Sequence, residues 1–286
     1  MKMQILNSRV LPKLFVLILL ANSGCKSDPI EIEPPTPIVV PNTYAFDNVN
    51  YSGQTERINQ LEEIIEYMET ANQEGTPLQL AVLKDMFSNK DGNGNAYFSF
   101  TSSKNLRDKC FEPDIVTIES YFEKAVGTSQ STALASSGQA GRMASESDPN
   151  KFRLFDENGW EYSEVIEKAI MGAVFYYQAT SVYLSSEKIE ADNSTVVEGE
   201  GTAMQHYWDE AYGYLGVTTE FPADLENTKY WGKYCKGRDA VLNTNEELSY
   251  AFRLGRQAIN HERYDKRDEA LSDVKKAWEK VCVGTA

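Results

Sequence analysis

The sequence predicts an all-α fold, a helical bundle interrupted by long loops. Three observations predict it. Apolar residues recur at spacings of three and four through most of the chain, which lines one face of a helix. No alternating apolar–polar run is long enough to build a sheet. Clusters of Ser, Gly, Asn and Pro separate the periodic stretches, as connections between helices require. The 286 residues are 41% hydrophobic and 25% charged, ordinary globular usage with room for one large domain or two small ones.

The first segment carries an address. Lys2, Arg9 and Lys13 precede the apolar run Leu14–Ala21. That run is too short for the roughly 20 residues a bilayer crossing needs, but it suits the core of a signal peptide over residues 1–24. Ser23, Gly24 and Cys25 then resemble a bacterial lipoprotein box, with Asn22 where an aliphatic residue is usual. Cys25 is the expected lipidation site, and ordinary secretion with a free Cys25 is the alternative. Residues 26–43 hold five of the ten prolines and no helical period, so residues 25–43 read as an extended, semi-rigid tether. Residues 44–286 are then the helical domain.

Within it, Ile58, Leu61, Ile65, Met68 and Ala71 mark a first amphipathic helix after Ser52. Thr76-Pro77 reads as a cap with proline at the first helical position, opening a helix through Leu80, Leu83 and Phe87. Residues 89–96 read as a turn. Pro113-Asp114 opens a third helix carrying Ile118, Phe122 and Ala125, and residues 127–150, rich in Ser, Gly and Ala, read as a mobile loop. Trp160 to Ser185 carries the broadest apolar stripe, which predicts a helix buried against several neighbours. A helix near Thr202–Leu215 follows the loop 190–201. Thr244 with Glu247 three places on reads as a capping box for a helix through Leu248, Phe252 and Ile259, and Leu271, Val274, Trp278 and Val281 mark the last helix.

Chemistry concentrates in residues 206–213, HYWDEAYG. On a helix His206, Asp209, Glu210 and Gly213 fall toward one side, while Met204, Trp208, Ala211 and Leu215 form the core side. An imidazole one turn from a carboxylate can offer two ligands to one metal ion, and mixed N/O donors suit Fe, Zn or Mn. Glu161 or Glu164 is a further ligand candidate, and Arg256 is expected to reach a carboxylate across the bundle. A hydrogen-bonded His206–Glu210 pair that merely holds helices in register is the competing expectation. Gly213 leaves room for a neighbouring element.

Other chemistry is excluded or weak. With 43 Asp plus Glu against 28 Lys plus Arg, the formal charge is −15, which repels phosphate backbones and excludes sequence-independent nucleic-acid binding. Asp91-Gly92-Asn93-Gly94-Asn95 begins like a calcium loop but has Ala96 and Ser102 where glycine and a bidentate glutamate belong. There is no HExxH, GxSxG, Walker loop or dinucleotide fingerprint. Cys110, Cys235 and Cys282 match no CxxC pattern and read as buried small hydrophobes. Glu164 and Lys168 form an i,i+4 pair on a solvated face.

Four blocks in order carry a resemblance: YSGQTER from Tyr51, GWEY from Gly159 with Lys168 and Gly172-Ala173, HYWDEAYG from His206, and GRQAI from Gly255. Together they resemble an uncharacterised lipoprotein family, a domain of unknown function, of Gram-negative bacteria with surface-exposed uptake systems. Its members are similar to imelysin-type proteins, helical-bundle lipoproteins linked to iron acquisition that carry an HxxE signature. Here His206 and Asp209 stand as HxxD, with Glu210 next. The resemblance implies an imelysin-like bundle, an outer-membrane lipid anchor facing the periplasm or the cell surface, and uptake-system proteins as partners. It also implies further helices beyond Ala286. The expected function is a membrane-anchored binding protein for iron, another metal or a nutrient. A metal-dependent hydrolase and a purely structural surface module are the alternatives.

Overall fold

The computed structural model describes residues 37–285. The signal-peptide segment, Cys25 and most of the tether lie outside the described residues. Residues 38–286 form one compact unit, and about 59% of the chain is helical. The described elements begin with α1 (Ser52–Glu69), α2 (Leu80–Ser88) and α3 (Glu112–Ser129). They continue through β1 (Gly141–Ala144), β2 (Phe152–Phe155), α4 (Tyr162–Ile170) and α5 (Ser186–Ile189). The second half holds α6 (Ala203–Gly213), α7 (Trp231–Leu242), α8 (Thr244–Asn260) and α9 (Tyr264–Thr285).

The core follows the periodicity. Ile58, Leu61 and Met68 of α1 are buried, as are Met204, Trp208 and Ala211 of α6 with Leu215 just beyond it. Aromatic rings join the helices of the second half. Phe252 of α8 lies 6.1 Å from Trp208 and 6.2 Å from Trp278, which in turn meets Tyr176 at 6.0 Å, mostly edge to face. The indoles of Trp208 and Trp231 donate to the carbonyls of Phe252 (3.0 Å) and Met171 (2.9 Å), so large apolar bodies are buried without losing their N–H partners. Cys110 and Cys235 are buried and Cys282 half-buried, all three free, with burial pushing the first two thiols up to about 12.

Several local expectations are corrected. The stretch 127–150 is not one loop, because α3 runs to Ser129 and β1 pairs antiparallel with β2. At four residues each, these strands are too short to show alternation. The hairpin is fixed from outside its own sequence: buried Arg142 donates to the Ala71 carbonyl (2.9 Å), and Leu154 N–H donates to Asn72 (3.0 Å). Thr76-Pro77 does not open α2, which starts at Leu80. The Thr76 hydroxyl instead donates to the Gln73 carbonyl (2.7 Å), closing the preceding turn. Thr244 caps nothing, since its hydroxyl donates to the Cys235 carbonyl (2.7 Å) and the boundary residue is left-handed Asn243. The capping box lies at Thr202 and Gln205, each side chain meeting the other's backbone N–H. Helix α7 lacks a clear stripe and has no counterpart in the sequence reading.

The segment Trp160–Ser185 is helical but not uniformly α. After Ile170 the chain continues through two π-helical stretches, Met171–Tyr176 and Gln178–Tyr183. The wider turn lets the Ala173 carbonyl accept from Phe111 N–H at 2.8 Å, and such stretches often accompany functional sites.

Candidate functional site

Helix α6 is the organising element. Thr202 fixes its start, and its apolar side seats against α8. Gly213 allows α1 to approach, since a Cβ there would stand 2.5 Å from the Tyr51 Cβ and 3.0 Å from the Gln54 Cβ. What α6 presents then depends on angle. Successive residues differ by about 100° around a helix, so the adjacent Asp209 and Glu210 flank His206 on opposite sides. Their partners differ.

Asp209 turns inward. Its carboxylate accepts from the Tyr44 hydroxyl (2.7 Å) and from Arg256 Nε (2.9 Å), with both members of the ion pair fully buried. This is the carboxylate expected for Arg256. The expectation that Asp209 and Arg256 join His206 in a binding site is corrected: they form a structural pair that pins residues 41–47 to the body. Burial raises the Asp209 carboxyl to about 6 despite the attraction of Arg256. Tyr44 stacks on Tyr212 with centroids 3.7 Å apart, and Arg253 and Arg256 donate to the Pro41 (2.7 Å) and Asp47 (3.3 Å) carbonyls.

His206 and Glu210 turn the other way. His206 Nε2 lies 3.8 Å from Glu210 Oε2, and Glu210 Oε1 accepts from buried Gln54 (2.9 Å). Nδ1 of His206 is buried with no hydrogen-bond partner. Both side chains line a cavity of about 260 Å³ bounded by the start of α1, the loop before α3, the end of the π-helical segment and the turn before α6. Its other chemically active lining residues are Arg57, Lys104, Lys109, Tyr183 and Glu200. The start of α1 at Ser52 adds the positive end of a helix dipole.

The walls are held by backbone anchors. Arg57 donates to the Asn105 (2.9 Å) and Gly53 (3.0 Å) carbonyls, and Gln60 and Gln178 donate to the Lys104 and Lys109 carbonyls, each at 2.7 Å. Lys109 Nζ reaches the Tyr183 hydroxyl at 3.4 Å. Among the described residues, Arg57, Lys104 and Lys109 form no ion pair with a carboxylate. Burial lowers the Lys109 ammonium, and the charges of Arg57, Lys104 and Lys188 push it the same way against Glu210. Burial, then the charge of Glu210, raises the Tyr183 phenol.

Glu161 and Glu164 do not line this cavity. Arg153 bridges them at 2.6 and 3.4 Å, and Lys168 pairs with Glu164 at 2.9 Å. The expectation that either completes a metal site with His206 is corrected, because both are engaged on the α4 surface. Among the described residues, no group of three His, Cys, Asp or Glu side chains is placed to hold a metal ion. Arg57, Lys104, Lys109 and Tyr183 were missed as site residues. Arg57 lies in the YSGQTER block, the one sequence signal that could have found it.

The architecture thus defines a mostly α-helical protein with a small polar cavity between α1 and α6. The family model described as a domain of unknown function (DUF4856) matches residues 41–283, and the chain belongs to that family. No curated protein and no solved structure matches it.

Proposed function

We propose that the protein is a membrane-anchored binding protein whose small polar ligand occupies the cavity beside His206 and Glu210. The observation that carries this is the unpaired chemistry of the cavity: Arg57, Lys104 and Lys109 line it without an ion pair, together with His206 and Glu210. Buried polar groups are normally satisfied, and a ligand supplies what the chain does not. The lipoprotein box at Cys25 supports an outer-membrane address, and the likeness to imelysin-type proteins supports a role in nutrient uptake beside uptake-system proteins.

A bound divalent metal is the second reading, favoured by the one-turn spacing of His206 and Glu210. It is the weaker one. Asp209 is taken by Arg256, and Arg57, Lys104 and Lys109 repel a bare Fe or Zn cation.

Thermal-shift measurements against panels of amino acids, sugars, organic acids and divalent metals test both. A compound that stabilises the wild type but neither Glu210→Gln nor His206→Ala supports the site. If every stabilising compound acts equally on all three proteins, the motif is a packing device and the structural-module alternative stands. Equal metal content in wild type and His206→Ala rules out the metal reading. Cys25→Ala is expected to release the protein from the membrane fraction; retention there removes the lipid address.

A further inference from the structure

Resting on the binding reading above, we infer that the ligand is a monosaccharide-sized, hydroxylated anion, its charged group held by Lys104, Lys109 and Arg57 and its hydroxyls by Glu210 and His206. The cavity walls sort by charge. Arg57 and the two lysines come from α1 and the loop before α3, while Glu200 comes from the turn before α6 and His206 and Glu210 from α6 itself. No ion pair joins the two sides, although His206 and Glu210 approach each other to 3.8 Å and Lys109 feels the charge of Glu210.

Grouping three cations without a direct ion pair is costly in any protein. In this chain acidic residues outnumber basic ones 43 to 28, so a neutralising carboxylate was readily available. None is within ion-pair distance. Arg57 is held through its guanidinium and the two lysines through their backbone carbonyls. Arg57 is clamped by two carbonyls, and the carbonyls of Lys104 and Lys109 are tied down by Gln60 and Gln178, so that Lys109 keeps only a long contact to the Tyr183 hydroxyl and neither ammonium group has an ion-pair partner. An oxyanion between them supplies the missing charge.

The opposite wall demands something else of the same guest. A second anionic group would face Glu210, which accepts from Gln54 and cannot donate while ionised. A hydroxyl donates to Glu210, and a second hydroxyl meets the His206 ring, whose Nε2 lies 3.8 Å from Glu210 Oε2. The ligand therefore has one charged end and one hydroxylated end. At about 260 Å³ the cavity falls just below the roughly 300–1,000 Å³ of drug-sized pockets, which limits the guest to about one sugar ring. Sugar acids and sugar phosphates share this chemistry.

Isothermal titration of the detergent-solubilised full-length protein with glucuronate, glucose 6-phosphate, glucose and inorganic phosphate tests it. Glucuronate or glucose 6-phosphate is expected to bind at least about tenfold more tightly than glucose, and the affinity is expected to fall as salt is raised. Which of the two binds better distinguishes carboxylate from phosphate. Lys104→Gln and Lys109→Gln are each expected to weaken the anion about tenfold or more. Should Lys109→Gln fail to fold, the half-buried Lys104 gives the same readout. Glu210→Gln weakens the sugar anion but does not weaken inorganic phosphate. Glucose binding as tightly as the anions, anion affinity unchanged in a folded lysine variant, or no anion binding at all overturns the inference. The binding reading survives any of these if the panel above finds another compound whose effect depends on Glu210.

Discussion

Arg256 and Asp209 show how one buried pair can look like a binding site in a sequence. Both sit in blocks that carry the family resemblance, yet they pair with each other in the interior at 2.9 Å. Breaking a buried pair leaves an uncompensated charge, so Arg256→Met is expected to cost about 3–5 kcal/mol in denaturant titration at neutral pH. The loss is expected to shrink at pH 5, where Asp209 takes up a proton. The wild-type pair has its own pH signature. With Asp209 raised to about 6 in the folded state, above the ordinary carboxylate value, the group's contribution to stability is full below about pH 4 and is lost as the pH rises through 6. Denaturation midpoints collected from pH 4 to 7 should therefore fall for wild type relative to Asp209→Asn. Parallel curves would show that the carboxyl titrates normally. The sequence could place His206, Asp209 and Glu210 on one helix, but not divide them. A coarse sense of one face hides the 100° between neighbours, and only the positions of α1 and α8 decide which side is cavity and which is core.

At the scale of elements, the amphipathic helices were legible because burial enforces their period, and the irregular ones were not. Helix α7 buries only Trp231, Gly232 and Cys235, too few to print a stripe. The short hairpin is held by Arg142 and Asn72 rather than by a pattern of its own. Two threonines each followed three places on by Glu or Gln give a direct comparison: Thr202 caps α6, whereas Thr244 is drawn to the Cys235 carbonyl because it is buried between α7 and α8. Close approach of helices is set by single glycines. A Cβ on Gly255 would stand 2.0 Å from the Trp208 ring, which is itself almost fully buried. Gly255→Ala is expected to cost about 1–3 kcal/mol through overpacking, with the Trp208 fluorescence environment disturbed. A neutral result in both measurements would mean that α6 and α8 separate more easily than their packing implies.

For the whole molecule, the segment from Pro41 to Asp47 ties the chain's entry to the two helices that close the core. Tyr44 is fully buried, stacked on Tyr212 and bonded to Asp209. Truncating it to alanine removes a ring and leaves a void, with an expected loss of about 3–5 kcal/mol. Denaturant unfolding of Tyr44→Ala followed by both near- and far-ultraviolet dichroism checks this; a loss below about 1 kcal/mol would show the segment to be a passive strand of chain. Sequence patterning read residues 25–43 as a spacer and set the domain boundary at Tyr44. The grip begins slightly earlier, at Pro41, because Arg253 reaches a backbone carbonyl that any residue type could have offered.

That grip has a mechanical consequence. Tension arriving along the chain from the N-terminal side meets the body at Arg253, Thr219, Asp209 and Arg256, all before Ser52 begins α1. The load is thus shared by α6 and α8 and grounded there. A tug on the tail is met on the core side of α6, opposite the side on which His206 and Glu210 face the cavity.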